Sequence, residues 1–164
     1  NQGIEIELNY LVTDNFRIDA NIATQDHKYD VFLWDESPND GVDNPTDFSG
    51  FELPFSPELS WGLSLTYDQD LGANGSLTYN ILGNYQDEAQ TQPTNPIYSQ
   101  LEDRTLVDAN ITWRNVDDTY YVTVYGKNLT DETYRVGSNS VAGLWNFTLY
   151  GEPMEYGIEA GYRW

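Results

Sequence analysis

Apolar and polar residues alternate along this chain with a period of two over most of its length. Residues 3–12 place Ile4, Ile6, Leu8, Tyr10 and Val12 on one face and Glu5, Glu7, Asn9 and Leu11 on the other. This is the pattern of a strand whose two faces meet different surroundings. After the turn Thr13-Asp14-Asn15, the residues Phe16, Ile18, Ala20 and Ile22 alternate with Arg17, Asp19 and Asn21, which predicts a hairpin with a tight connection. A third strand near 57–67 sets Leu59, Trp61, Leu63, Leu65 and Tyr67 against Ser60, Gly62, Ser64 and Thr66. A fourth, over 75–87, carries Leu77, Tyr79, Ile81 and Tyr85. Leu82-Gly83 interrupts its alternation and predicts a bulge. The fifth, 104–114, offers Val107, Ala109, Ile111 and Trp113, and the sixth Tyr120, Val122 and Val124. The closing run, 154–164, gives Tyr156, Ile158, Ala160, Tyr162 and Trp164 against Gly157, Glu159, Gly161 and Arg163. No segment has helical periodicity, so the expectation is all-β, an antiparallel up-and-down meander of about seven strands.

The connections alternate in length: those at 13–15, 68–74 and 115–118 are short, and those at 27–56, 88–103 and 130–153 are long. In a meander this puts every short turn on one rim and every long loop on the other. An aromatic marks the short-turn end of each strand: Tyr10, Phe16, Tyr67, Tyr79, Trp113, Tyr120, Tyr162 and Trp164. Rings in a row at one level read as an interfacial girdle, with Trp61, Tyr85 and Tyr156 as candidates for the opposite one. Two architectures fit the pattern. One is the wall of a transmembrane β-barrel. The other is a secreted β-sandwich that binds or degrades carbohydrate.

Composition narrows the function classes. The chain carries 27 acidic residues against 7 Lys and Arg, a formal charge of −20. That excess argues against nucleic acid, whose phosphates need a basic footprint. With no cysteine there is neither a disulfide framework nor a thiolate metal site. No run approaches the roughly 18 apolar residues of a transmembrane helix, although β-strands cross a bilayer with only about 9–11 alternating residues. Nothing divides the 164 residues into more than one domain.

Two segments near the end of the sequence carry more than periodicity. Lys127 to Gly137 reads KNLTDETYRVG, and Tyr150 to Trp164 reads YGEPMEYGIEAGYRW. Together they resemble the C-terminal end of TonB-dependent receptors of the Gram-negative outer membrane. Asn128, Leu129, Asp131, Glu132 and Tyr134 match that family's first segment, and Tyr150, Gly151, Pro153, Tyr156 and Gly157 its second. Met154 stands where Arg is usual, and Trp164 where Phe is commoner. The resemblance implies a 22-stranded transmembrane barrel filled by an N-terminal plug. Residues 1–164 would be its C-terminal portion, without the plug and earlier strands. It also implies active, TonB-energised uptake of a scarce nutrient: siderophore-iron, cobalamin or an oligosaccharide. The implied partners are outer-membrane lipid and lipopolysaccharide, TonB through the plug, a small-molecule or glycan ligand, and the barrel-assembly machinery. That machinery would read the alternating segment Tyr156, Ile158, Ala160, Tyr162 and Trp164 as its signal.

Candidate chemistry is sparse. His27 is the single histidine; it has no catalytic neighbours in sequence and is expected to be solvated at the start of a long loop. No active site and no cofactor are assigned. The acidic loop from Trp34 to Asp47 could hold Ca²⁺ through Asp35, Glu36, Asp40 and Asp43, or be simply solvated. Its Gly41 falls one position late for an EF-hand. The long-loop aromatics, Trp34, Tyr98 and Trp145 foremost, could stack on a ligand or pack the loops together. The polar face joins Glu5, Glu7, Asp19, Asp108 and Glu159 with Arg17, Arg114, Lys127 and Arg163, a mixed wall suited to passage rather than catalysis.

Overall fold

The computed structural model describes residues 2–35, 41, 44–94, 96–141 and 144–163. Seven strands form a single antiparallel sheet: β1 (Gln2–Thr13), β2 (Phe16–Asp26), β3 (Leu59–Asp70), β4 (Ser76–Gln86), β5 (Arg104–Arg114), β6 (Tyr120–Lys127) and β7 (Glu155–Tyr162). Spatial order equals chain order, so the sheet is an up-and-down meander with β1 and β7 at its edges.

The register joins the apolar positions of neighbouring strands into continuous rows. One row runs Tyr10, Ile18, Leu65, Ile81 and Ala109, and the next Phe16, Tyr67, Tyr79, Ile111, Val124 and Ile158. The opposite face is equally consistent: Arg17, Thr66, Asn80, Asn110, Tyr125 and Gly157 lie side by side. Cross-strand hydrogen bonds lace this polar face, as between Asn80 and Thr66 (3.0 Å) and between Thr112 and Thr123 (2.9 Å).

Burial separates the two architectures left open by the sequence. A sandwich would cover the apolar face with a second sheet. Here that face is bare: Ile6 is 60% exposed, Ile81 50% and Ile158 75%. Among the described residues the buried hydrophobics are Phe48, Ala89 and Leu101, none of them in β1–β7. A sheet with a continuous uncovered apolar face is built for an apolar solvent.

The rings mark where that solvent ends. On the short-turn side Tyr67 and Tyr79 lie 6.1 Å apart and Tyr120 and Tyr162 5.0 Å. Their neighbours turn polar tips to the rim: Tyr79 donates to Gln69 Oε1 (3.0 Å), and the Trp113 indole to Asn74 O (2.9 Å). Toward the long loops Trp61 stacks on Tyr85 at 5.9 Å. Six residues of β3 separate Trp61 from Tyr67, about 20 Å of strand. That is the scale of an outer-membrane apolar band.

One expectation about the wall fails. Pairing through Leu82 and Gly83 is uninterrupted on both sides, so there is no bulge. Gly83 holds its place on the apolar face beneath the Trp61 ring, and Leu82 is an apolar residue on the polar face. The irregularity lies at Leu11 and Thr13, beside the two-residue turn Asp14-Asn15.

The face assignment predicts an asymmetric response to charge. In a full-length parent, Ile81→Arg should cost about 2–4 kcal/mol of folding into lipid vesicles, whereas Thr66→Arg on the polar face should cost much less. Urea titration of the vesicle-folded protein, followed by tryptophan fluorescence, measures both.

Candidate functional site

The two family-like segments meet around one side chain. Asn128 follows β6 in a left-handed conformation (φ 48°) that asparagine tolerates better than most residues, and it is buried. Its amide nitrogen Nδ2 donates to Glu132 O (2.8 Å) and Glu152 O (3.1 Å). Its Oδ1 accepts from Glu132 N (2.9 Å) and Thr130 Oγ1 (3.1 Å). All four hydrogen-bonding positions of the amide are therefore used. The Asn128 N–H donates to Asp108 Oδ1 (2.8 Å), which anchors the cluster to β5.

Around it the other motif residues take structural posts. Leu129 donates its N–H to Val107 O (2.7 Å) and covers Gly126. The Tyr134 ring lies against Gly151, where any Cβ would collide with it, and Gly151 N donates to Tyr134 O (2.9 Å). Arg104, which strand alternation alone does not single out, sits 5.0 Å from the Tyr134 ring centroid and donates to Gln86 Oε1 (2.6 Å). Asp131 takes a second left-handed turn (φ 52°). Pro153 and the half-buried Gly151 lie in the coil that returns to β7.

The closing strand fits β6 through size complementarity on the polar face. Tyr121 is paired with Gly161 and Tyr125 with Gly157, each ring lying over the glycine it faces. A Cβ on Gly157 would come within 2.6 Å of the Tyr125 hydroxyl. Tyr121 also donates to Glu159 Oε1 (2.7 Å), and Lys127 pairs with Glu155 (2.7 Å). Beyond the strand, Arg163 reaches Asp118 in the β5–β6 turn (2.6 Å). Tyr156, Ile158, Ala160 and Tyr162 face outward and are exposed; Trp164 lies outside the described residues.

The long loops are ordered objects rather than open connections. The first contains a short pairing of Leu33–Trp34 with Thr46–Asp47 and an aromatic core. Phe48, buried, lies 5.8 Å from Phe32 and 5.3 Å from Phe51, and Tyr29 lies 4.6 Å from Phe32. Trp34 flanks this core, 6.4 Å from Phe32 and half exposed. Ser49 closes the turn: hydrogen bonds from its hydroxyl and then its N–H hold the Asp47 carboxyl below its ordinary value. The second loop pairs Ala89–Gln90 with Gln100–Leu101, and the third is a hairpin of Arg135–Val141 with Trp145–Tyr150. On that hairpin Val141, Trp145, Phe147 and Leu149 share one exposed face, while Ser138, Ser140, Asn146 and Thr148 share the other. Tyr98 is half-buried and its carbonyl accepts from Ser138 Oγ (2.5 Å). The structure thus joins Tyr98 to the hairpin that bears Trp145 and seats Trp34 in the separate core of the first loop.

One expected environment changes. His27 is buried, 2% exposed, not solvated; the first loop folds back over it, with Leu53 N donating to its carbonyl (3.2 Å). Its Nδ1 has no hydrogen-bond partner. Of the calcium candidates, Glu36, Asp40 and Asp43 lie outside the described residues. Among the described residues no three acidic, histidine or cysteine side chains converge as a metal site.

The Asn128 cluster carries a prediction. Asn128→Ala leaves two carbonyls and an N–H without their amide partner, and Asn128→Asp sets a carboxylate against those carbonyls; each should cost about 1–3 kcal/mol. In a full-length parent, limited proteolysis should then cut between residues 130 and 153 while the folded barrel band persists on semi-native gels.

The family model for the TonB dependent receptor-like β-barrel matches residues 1–129. Against curated protein sequences nothing matches. Among solved structures, the chain is similar to the ferric yersiniabactin uptake receptor of Yersinia pestis, with 17% identity and a TM-score of 0.78, over 98% of this chain and 23% of that one. It is similar to a siderophore receptor of Acinetobacter baumannii, with 20% identity and a TM-score of 0.74, over 96% of this chain and 21% of that one. The ferric preacinetobactin receptor of the same organism aligns with 18% identity and a TM-score of 0.55, over 98% and 26%. The chain therefore spans about a quarter of the length of these structural relatives. With most of its residues matched by the family model and a bare seven-stranded wall to fit it, this chain belongs to the TonB-dependent receptor-like β-barrel family.

Proposed function

We propose that this chain is the C-terminal wall of an outer-membrane receptor of a Gram-negative bacterium, in which uptake of a ferric siderophore is energised by TonB acting through an N-terminal plug. The observation that carries the reading is the continuous apolar face of β1–β7, bare and bounded by rings, in a chain of this family. Such a face stabilises the protein only in lipid. The polar face then lines the lumen against the plug, and the long loops stand at the extracellular mouth. Siderophore-iron is favoured over cobalamin and oligosaccharide because the solved relatives are named as receptors for a siderophore, for ferric yersiniabactin and for ferric preacinetobactin.

Exposed aromatics suit such a ligand. Trp145 is 66% exposed on a hairpin that the Asn128 cluster ties to the wall, and Trp34 and Tyr98 present further rings at the same rim. In the full-length receptor, iron-55 uptake from a panel of catecholate, hydroxamate and mixed siderophores should appear for one class and vanish in a tonB deletion strain. Trp145→Ala should weaken binding of that siderophore by about tenfold, the scale of one lost ring contact. Uptake that survives loss of TonB would overturn the proposal.

The end of the sequence is proposed as the segment read by the assembly machinery, through the outward-facing Tyr156, Ile158, Ala160 and Tyr162 of β7 together with Trp164. Deleting Trp164, or Tyr162→Asp, should lower the outer-membrane yield of the full-length receptor several-fold and leave unfolded chain in the periplasm. Immunoblots of fractionated membranes read this out, and normal yield in both variants counts against the assignment.

A further inference from the structure

The second and third long loops are sewn together along one polar seam. At its base the Arg104 guanidinium lies over the Tyr134 ring and donates to Arg135 O (3.4 Å). One step higher, Arg135 pairs with Glu102 (3.0 Å). Higher still, Ser138 Oγ donates to Tyr98 O (2.5 Å), while Thr91 Oγ1 reaches Ser138 O (3.2 Å) and Ser138 Oγ (3.3 Å). At the top Gln92 Nε2 donates to Asn139 Oδ1 (3.3 Å). The contacts climb the hairpin arm in order, residues 134 to 139, against Arg104 at the start of β5 and then Glu102, Tyr98, Thr91 and Gln92 of the second loop.

Each contact is modest, but parting the loops breaks them in series. The second loop has its own rigid centre at the seam. Ser99 is fully buried and shares its hydroxyl proton between Gln90 Oε1 (2.6 Å) and Pro96 O (2.7 Å), and Leu101 is 3% exposed. The hairpin arm packs on this same segment, 97–101. The first loop is organised around its own Phe48 core, and its far end meets the second loop where Phe55 N donates to Gln90 O (2.7 Å).

We propose that residues 89–94 and 96–101 of the second loop and 135–141 and 144–150 of the third form one flap that moves as a unit at the mouth of the receptor, with Ser138 as the positioning residue that couples Tyr98 to the Trp145 hairpin. Movements of the two rings are then a single conformational step, distinct from any movement of the Phe48 core of the first loop. The transport consequence rests on the receptor reading above; the coupling itself does not.

The test uses the full-length receptor in detergent and in cells. Hydrogen exchange of Ser138→Ala should rise in both 89–101 and 135–150 and stay unchanged in 45–53. Thr91→Cys/Ser138→Cys places two thiols where oxygens now lie 3.3 Å apart. Its oxidised form should restore protection in both segments together. A change confined to 135–150 in either experiment overturns the proposal. In cells, the oxidised double-cysteine receptor should keep the parent's rate of iron-55 siderophore uptake. Uptake abolished by oxidation and restored by dithiothreitol would show that the loops must separate, which also overturns it. A parent that takes up no siderophore defeats the functional reading, and the exchange experiment still decides the flap.

Discussion

Backbone hydrogen bonding without water is the constraint on which the rest of this structure depends. In hydrocarbon an unpaired N–H or C=O costs several kcal/mol, so strands cross a membrane only as an unbroken ladder. The six interfaces from β1 to β7 supply such a ladder, and its continuity fixes where every side chain points. Alternate residues must then satisfy lipid and lumen in turn. That is why the hydrophobic core of a soluble protein is absent from the wall and appears on a small scale in the loops, where water returns.

The same constraint explains what could be read from the sequence. All seven wall strands were legible because a period of two, held over eight or more residues, has one physical meaning when the faces differ this sharply. The bounds of β5 and β6 follow from it directly, and β2 runs four residues further than its apolar run suggests because polar residues continue the ladder beyond Ile22. The mistaken bulge at Leu82-Gly83 shows the limit. A break in hydrophobicity was read as a break in pairing, whereas small and large residues had only exchanged faces beneath Trp61. The loops were less legible because their order comes from contacts distant in sequence. His27 is buried by Leu53 and its neighbours, and Asn128 by groups from Asp108 to Glu152. The alternation of Trp145, Phe147 and Leu149 with Asn146 and Thr148 was a usable sign of the third-loop hairpin, but its partner arm, Arg135–Val141, has no comparable pattern.

For a chain this acidic, the loops at the mouth face mutual repulsion. Two devices offset it. The first loop buries rings and ties the Asp47 carboxylate to Ser49, so that ionisation favours the turn; this contribution is present above the ordinary carboxylate value and is lost as the pH falls through the lowered one. At the seam stand two of the few available cations: Arg104 joins Gln86 of β4 to the Tyr134 ring and Arg135 O of the third loop, and Arg135 joins the third loop to Glu102 of the second.

The tyrosine and glycine pairs of β6 and β7 answer a problem that alternation leaves open. A slip of one residue turns the apolar face of a strand inward and is rejected strongly. A slip of two keeps every face correct, so hydrophobicity cannot detect it. In β7 such a slip would bring Tyr125 opposite Glu155 or Glu159, and Tyr121 opposite Glu159 or Arg163, in place of the glycines they now cover. The rings would lose their seats and meet long side chains instead. Glycine weakens a strand interior, yet here its missing side chain is filled by the neighbour's ring, and the pair records the register. For an edge strand of this wall, whose other edge must find its own partner, a register fixed on one side is what makes the second pairing unique.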